Sequence, residues 1–263
     1  MKPAPFDLVR PVNLAEAAAA LARNPGATRL LAGGQSLGPM LNLRLVRPAV
    51  LVTVAHLPEL GSVAEDAGTV MIGAAVTHSA IADGRTPDIG NRILARIAEA
   101  IAYRAVRNLG TIGGSLCHAD PAADWLTTLT ALGASVVTWS EAGGHAIPLR
   151  QFIIGAFRTA LASDEIVQAV RIPRPSPQAR WGYYKACRKP GEFAHAMAAV
   201  LDDPTRGVRR AVIGAVGGPP VVLAGERVTP AAAEDALRDA GLDAIARHMQ
   251  AVALKRALAE AAA

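Results

Sequence analysis

"NLGTIGGSLCHADPAADW", residues 108–125, places two adjacent glycines, Gly113 and Gly114, just before a cysteine, a histidine and two aspartates. A second stretch, "AGGQSLG" at residues 32–38, also has a glycine pair followed by polar residues and a leucine. Glycine tolerates positive φ and lets a ligand approach the backbone, and successive amide N–H groups in such a turn form a concavity that binds anions. Two such concavities from separate segments suit a pyrophosphate. The alternative is a pair of ordinary tight turns.

Better-known nucleotide and catalytic motifs are absent around these glycines. No G-x-G-x-x-G occurs in the chain, and although Gly33 and Gly38 have the Walker A spacing, Pro39 stands where that motif needs lysine. Cys117 and His118 are neighbours, so their side chains diverge in an extended loop and are not expected to form a catalytic pair. No second pair of ligands stands at zinc-binding spacing. The pattern therefore favours phosphate binding over a nucleophile or a metal site.

The two aspartates that follow the second glycine pair have different expected roles. Asp120 followed by Pro121 is typical of a helix start, with aspartate as the cap and proline at the first helical position. Asp124 lies one turn further on, beyond capping distance. Its carboxylate repels a pyrophosphate, but it can accept hydrogen bonds from sugar-type hydroxyls of the same ligand. The alternative is an exposed first-turn acid that the helix dipole favours.

Composition narrows the class of protein. The chain has 263 residues, of which 51% are hydrophobic, so it can bury a core as one large domain or two to three small ones. No uncharged apolar run reaches eighteen residues, and the N-terminus lacks the apolar region of a secretory signal. The two cysteines, Cys117 and Cys187, are too few for a disulfide framework, which predicts a cytoplasmic protein. A net charge of +5 with only 4% aromatic residues and dispersed arginines argues against nucleic-acid binding.

Hydrophobic patterning predicts an α+β protein with mostly antiparallel sheets, because strands and helices do not alternate strictly. Asn13 and Glu16 predict the start of the first helix, and "RPSP" at 174–177 is the best candidate linker. Helices are predicted at 13–26, 91–108, 121–134, 150–161 and 231–263, and strands at 28–31, 49–57, 69–77, 135–140, 165–173, 180–189, 193–201 and 208–218.

Two quoted segments carry a family resemblance. "AGGQSLGPMLNLRLVRP" at 32–48 and "AYRAVRNLGTIGGSLCHADPAADW" at 102–125 resemble the FAD-binding medium subunit of the molybdenum hydroxylases. This family includes the aerobic carbon monoxide dehydrogenase flavoprotein and the FAD domain of xanthine dehydrogenase. The likeness extends to "IVQAVRIP" at 166–173 and "YYKACRKPGEFAHAMAAV" at 183–200.

The resemblance implies a fold, a role and partners. The implied fold is the flavin-binding fold of vanillyl-alcohol oxidase and the cell-wall reductases, with an N-terminal lobe at 1–55, a middle lobe at 56–175 and a C-terminal α+β domain at 178–263. The implied role is electron transfer from 2Fe–2S clusters through FAD to an external acceptor. A large subunit would hold the molybdopterin cofactor and a small subunit the 2Fe–2S clusters, in a dimer of heterotrimers. Such a chain needs no catalytic acid or base and no metal of its own.

The resemblance also implies which residues contact FAD. The two loops would cradle the pyrophosphate, and an aspartate, a lysine, an aromatic residue and two isoleucines would contact the rest. The implied residues are Leu31, Ala32, Gly33, Gly34, Gln35, Ser36, Leu37, Ile101, Thr111, Ile112, Gly113, Gly114, Ser115, Asp124, Ile166, Lys185 and Phe193. Ser115 departs from the asparagine usual in the family, and the C-terminus looks short for it.

Two other functions stay open at this point. A self-contained flavin oxidoreductase with its own substrate would need a proton donor or a covalent flavin link, for which His118 is the first candidate. A flavin-free structural subunit is the other. Within the molybdenum hydroxylases, carbon monoxide, aldehydes and N-heteroaromatic compounds all remain open as substrates of the complex, and so does the final electron acceptor.

Overall fold

The chain folds into mixed helix and sheet, as predicted, and the computed structural model describes residues 2–263. The strands are β1 Asp7–Val9, β2 Thr28–Leu31, β3 Val50–Thr53, β4 Val63–Glu65, β5 Thr69–Gly73, β6 Ser135–Trp139, β7 Ala146–Pro148, β8 Ile153–Gly155, β9 Arg158–Thr159, β10 Ile166–Pro173, β11 Arg180–Ala186, β12 Ala196–Asp203, β13 Val208–Gly214 and β14 Val221–Ala224. The helices are α1 Leu14–Arg23, α2 Leu37–Asn42, α3 Pro58–Gly61, α4 His78–Ala82, α5 Ile93–Glu99, α6 Arg104–Arg107, α7 Ile112–His118, α8 Asp124–Leu132, α9 Leu149–Phe152, α10 Pro230–Asp239 and α11 Ala244–Ala262.

Four sheets organise these elements. The N-terminal sheet has the order β1-β3-β2 and is parallel throughout, whereas mostly antiparallel sheets were predicted. It is parallel because α1 and α2 act as crossover connections, so that each following strand runs in the same direction as the one before it. The other sheets are antiparallel: a five-stranded sheet β4-β5-β10-β6-β7, a four-stranded sheet β11-β12-β13-β14 and the two-stranded β8-β9.

Helix α8 connects the layers. All nine of its residues are buried, and it packs against β10 of the five-stranded sheet and against β12 and β13 of the four-stranded sheet. One hydrophobic core, which includes Trp125 and Leu129, fills the N-terminal and middle part of the molecule. A second core lies between the four-stranded sheet and the helices α10 and α11. The start of α8 therefore lies where the two parts of the molecule meet.

The first helix begins as predicted, whereas the helix predicted at 91–108 is broken. The Asn13 side chain accepts a hydrogen bond from the Glu16 amide at 2.8 Å. Helix α5 ends at Glu99 and α6 covers only four residues, because the intervening Ile101 forms a β-bridge with Gly191. The helical spacing of apolar residues continues through this break, so the sequence pattern alone predicts one unbroken helix.

The second glycine pair was predicted to lie in a loop, and it lies in helix α7 instead. Thr111 caps this helix by accepting a hydrogen bond from the Gly114 amide at 3.1 Å. Asp120 does not cap α8, which begins at Asp124 after Ala123. Its carboxylate accepts a hydrogen bond from the Ala122 amide at 2.9 Å and so stabilises the turn before the helix.

The remaining predictions differ in detail. The segment 150–161 forms the short α9 and the β8-β9 hairpin, the C-terminal helical segment is divided into α10 and α11, and β1, β4, β14 and α2 were not anticipated. Ser176 of the "RPSP" segment bonds Asp203 through both its amide and its hydroxyl, at 2.8 and 2.6 Å. Among residues 2–263, none of the helices combines the length and the apolar character needed to cross a membrane.

Candidate functional site

The two glycine segments lie against each other. A Cβ added to Gly33 would overlap the carbonyl group of Leu109 and come within 2.9 Å of the Gly110 Cα. A Cβ added to Gly114 would lie 3.9 Å from the Ala32 Cβ. The segments are far apart in sequence but form the two walls of one site.

The first segment presents unpaired backbone donors. Gly34 has φ +69°, the left-handed conformation that turns the chain out of β2. Within the described part of the chain, the amide N–H groups of Gly34, Gln35, Ser36 and Leu37 have no intramolecular acceptor, and the Ser36 side chain makes no cap bond. Four successive free amides are the donor set expected of an anion-binding turn.

The second segment differs, and the expectation of two equivalent concavities is wrong in this respect. Neither Gly113 nor Gly114 has positive φ. The amides of this segment are already bonded: Ile112 to the Val76 carbonyl at 3.0 Å, Gly113 to the Ala74 carbonyl at 3.0 Å, Gly114 to Thr111 Oγ1 at 3.1 Å and Ser115 to the Thr111 carbonyl at 3.0 Å. This wall offers the half-buried Gly114, which has no Cβ, and the half-buried Ser115 hydroxyl, rather than a set of free amides.

A buried histidine supports the second segment. The His78 amide donates to the Gly110 carbonyl at 2.9 Å, and the indole N–H of Trp125 donates to His78 Nδ1 at 3.1 Å. Burial, assisted by the charge of Arg107, lowers the pKa of His78 to about 4. The neutral ring therefore carries its proton on Nε2, since Nδ1 is the acceptor. The sequence reading did not include His78 or Trp125.

Asp124, predicted to bind hydroxyl groups, is joined to Lys185 in a buried ion pair. The Lys185 ammonium lies 2.9 Å from Oδ1 and 3.0 Å from Oδ2, and the Tyr183 hydroxyl donates to Oδ1 at 2.7 Å. Burial raises the pKa of Asp124, while the charge of Lys185 and the hydrogen bonds from both residues oppose that shift. Burial, with the Asp124 charge next in importance, raises the pKa of Tyr183 well above its usual range. This cluster links α8 to β11.

Two of the other proposed contact residues, Ile101 and Phe193, lie on segments that this cluster and Arg107 hold together. Lys185 also donates to the Ala100 carbonyl at 3.4 Å, next to Ile101. The guanidinium of Arg107 donates to the Ile101 carbonyl at 2.9 Å and fixes that segment. Phe193 follows β11 in the segment that pairs with Ile101, and it is 62% exposed, which excludes an ordinary core role.

The remaining residues have simpler positions. Leu31 ends β2, Leu37 begins α2, and Ile166 begins β10 opposite Trp139, with 2% of its surface exposed. The side chain of Ile166 is therefore in the core, so any contact with a ligand falls to its backbone. Tyr183 is the main omission of the sequence reading, although strand alternation places it on the same face as Lys185.

The residues present fit FAD. The free amides of the first segment suit its pyrophosphate, and the buried carboxylate of Asp124 suits its hydroxyl groups. The exposed aromatic ring of Phe193 suits the edge of a flavin ring. No donor set in the site points to a metal, and residues 2–263 contain no cluster of three His, Cys, Asp or Glu side chains that could hold one.

Comparisons with known proteins agree with this fit. Residues 4–175 match the family described as "FAD binding domain in molybdopterin dehydrogenase". The chain is 37% identical to caffeine dehydrogenase subunit beta of Pseudomonas sp. (strain CBB1) over 202 residues, covering 76% of this chain and 68% of that one. It is 34% identical to the carbon monoxide dehydrogenase medium chain of Hydrogenophaga pseudoflava, covering 76% and 70%.

Solved structures extend the match to nearly the whole chain. The carbon monoxide dehydrogenase structure from Hydrogenophaga pseudoflava superposes with a TM-score of 0.87 at 30% identity, covering 99% of this chain and 98% of that one. Quinoline 2-oxidoreductase from Pseudomonas putida 86 gives 0.85 at 30% identity, covering 100% and 98%. The resemblance seen in the sequence is confirmed, and the chain belongs to the FAD-binding medium subunits of the molybdenum hydroxylases, as a subunit of an oxidoreductase.

Proposed function

We propose that this chain transfers electrons from 2Fe–2S clusters through FAD to an external acceptor, within a complex that oxidises its substrate in another subunit. The observation that carries the proposal is the site itself: the first glycine segment, with four free amides, contacts the second glycine segment, and a buried carboxylate stands at the start of α8. The relatives support the proposed place of this chain in a multi-subunit complex, because their names describe them as medium chains or subunits of dehydrogenases.

The proposed partners are a large subunit with the molybdopterin cofactor and a small subunit with the 2Fe–2S clusters, arranged as a dimer of heterotrimers. The chain has only two cysteines, whereas a 2Fe–2S cluster normally takes four thiolates. We place the fold with that of vanillyl-alcohol oxidase, with lobes at 1–55 and 56–175 and a C-terminal domain at 178–263. The second core, between the four-stranded sheet and the helices α10 and α11, supports the last division.

FAD, when bound, supplies the hydride and single-electron chemistry, and the protein binds and orients it. In the proposed site, the amides of 34–37 and the Ser115 hydroxyl hold the pyrophosphate. Asp124 accepts hydrogen bonds from FAD hydroxyls, and the Lys185 charge opposes the rise in the pKa of Asp124 that burial causes. Phe193 lies beside the flavin ring, and the backbone near Ile101 and Ile166 contacts FAD. The exposure of Phe193 supports this placement, because a core aromatic would be buried.

An anaerobic experiment tests the proposal against a self-contained flavin oxidoreductase. The purified chain should contain FAD and no iron or molybdenum, and dithionite should bleach its visible flavin band. Carbon monoxide, aldehydes or N-heteroaromatic compounds should leave the band unchanged until the large and small subunits are added. Bleaching by a substrate without partners would show that the chain oxidises it alone. A chain that takes up no FAD would contradict the proposal outright.

A further inference from the structure

The two carboxylate oxygens of Asp124 have unequal surroundings. Oδ1 accepts a hydrogen bond from the Tyr183 hydroxyl at 2.7 Å and also lies 2.9 Å from the Lys185 ammonium. Oδ2 accepts the hydrogen bond of Lys185 at 3.0 Å. A carboxylate oxygen accepts about two hydrogen bonds. Two different side chains therefore bond the two oxygens and fix the plane of the carboxylate, which keeps acceptor capacity for a ligand.

We infer that Tyr183 is a positioning residue for FAD, which rests on the proposed FAD site. Its hydroxyl holds Oδ1 while Lys185 bonds Oδ2, so the carboxylate keeps one orientation in which it accepts a hydrogen bond from a hydroxyl group of the ribityl chain or the ribose. Tyr183 acts through Asp124 and does not itself touch the ligand.

Lysine alone cannot provide this orientation. The Lys185 ammonium lies almost equally close to both oxygens, and it ends a flexible four-carbon stem. Tyr183 carries its hydroxyl on a rigid ring that is anchored in β11 and packs against the larger core. Its hydroxyl is thus the group that distinguishes the two oxygens.

The carboxylate has little freedom to find another arrangement. Asp124 is 5% exposed and stands at the first position of α8, whose following residues are all buried. The Lys185 side chain is 8% exposed, and its other hydrogen bond goes to the Ala100 carbonyl. Loss of the Tyr183 hydroxyl removes the hydrogen bond that Oδ1 accepts, so the carboxylate can turn either oxygen towards the ligand.

Tyr184 provides a matched control on the same strand. It faces the opposite side of β11, where it packs against the second core, and its hydroxyl accepts a hydrogen bond from Arg256 at 2.6 Å. Tyr184→Phe removes the same atom as Tyr183→Phe, from the same strand, without touching Asp124. A general weakening of β11 would affect both variants alike.

The experiment measures FAD affinity of the apo forms of the full chain by fluorescence quenching, with thermal melts of each apo form. Tyr183→Phe should weaken FAD binding about 10-fold, the effect of one hydrogen bond to a charged group. Tyr184→Phe should stay within about 2-fold of the unsubstituted chain, since its hydroxyl lies outside the site.

Two FAD analogues separate positioning from a structural role, one lacking a ribityl hydroxyl and one lacking the ribose 2′-hydroxyl. With the analogue that lacks the hydroxyl bound by Asp124, the unsubstituted chain and Tyr183→Phe should bind equally well. If Tyr183→Phe lost the same factor of affinity for FAD and for both analogues, the inference would be overturned. An equal loss of FAD affinity in Tyr183→Phe and Tyr184→Phe would overturn it as well. Unchanged FAD affinity in Tyr183→Phe would also overturn it while leaving the FAD site intact. If the unsubstituted chain binds no FAD, it is the proposed function that fails.

Discussion

Replacing Gly33 by alanine should separate the two glycine segments. The new Cβ would occupy the position of the Leu109 carbonyl and approach the Gly110 Cα to 2.9 Å, and both of these groups are backbone. A side chain could rotate away, but a backbone segment has to move. The Leu109–Gly110 segment is fixed through the Gly110 carbonyl, which accepts the hydrogen bond of the His78 amide. The movement should therefore fall on the first segment and its free amides.

The cost follows from the size of the overlap. Inserting a methyl group into a close-packed contact costs about 1–3 kcal/mol. For a chain of this size, that corresponds to a fall in the melting temperature of very roughly 2–10 °C. The effect on FAD should be larger than this fall suggests, since the amides of 34–37 lose their position relative to the second wall. We expect little or no flavin to remain on the chain after gel filtration.

Gly38→Ala is the matched control, because a Cβ at Gly38 meets nothing within 4 Å and its φ is not positive. This variant should keep its flavin and have the same melting temperature as the unsubstituted chain. Flavin per chain, measured from the visible absorbance, and the apo melting temperature are compared across all three proteins. Full flavin occupancy in Gly33→Ala, with a melt equal to that of Gly38→Ala, would refute the contact between the two segments as the basis of the site.

Three other substitutions test the remaining contacts. Asp124→Ala should weaken FAD binding by about 1–3 kcal/mol, and it should also destabilise the apo chain by about 3–5 kcal/mol, because the buried Lys185 loses its partner; a titration and a melt measure the two effects. Asp120→Ala should cost about 1 kcal/mol of stability and leave FAD affinity unchanged, as loss of a turn hydrogen bond does; a clear loss of FAD affinity would show that the two acids have been exchanged. His78 has a folded pKa of about 4 against 6.5 for the free group, so the stability it contributes above pH 6.5 is lost as the pH falls towards 4. That loss amounts to about 3 kcal/mol, and urea titrations from pH 7 to 4 should show it in the unsubstituted chain and not in His78→Asn.

The sequence was sufficient for the parts of the site that depend on local chemistry. The paired glycines and Asp124 could be proposed because each has a recognisable residue type at a recognisable place, whereas Lys185 was implied only by the family resemblance. Tyr183 could have been found from strand alternation, since it stands two residues before Lys185. The donor role of its hydroxyl depends on how α8 docks on β11, and no local pattern contains that information.

Two elements show more clearly where sequence patterns fail to predict the local structure: the break between α5 and α6, and the helix at Ile112–His118. Apolar spacing indicated one helix from 91 to 108, but Ile101 pairs with Gly191, a residue that is remote in sequence. Conversely, a glycine pair indicated a loop because glycine is a poor helix former. Thr111 overrides that tendency by capping the helix, and the Gly113 amide bonds to Ala74. In both cases a tertiary contact decided the local structure.

The two glycine pairs are alike in sequence but serve different physical ends. Gly34 is needed for its left-handed backbone, which turns the chain out of β2 just before the free amides, and Gly33 for the close approach of Leu109. Gly113 lies in a helix and is needed because a Cβ there would overlap Ala74. The anion-binding donors therefore belong to the first segment, while the second supplies the shape of the wall and one serine hydroxyl. It follows that a larger residue at Gly34 should act mainly by displacing donors, and one at Gly113 mainly by pushing α7 away from Ala74.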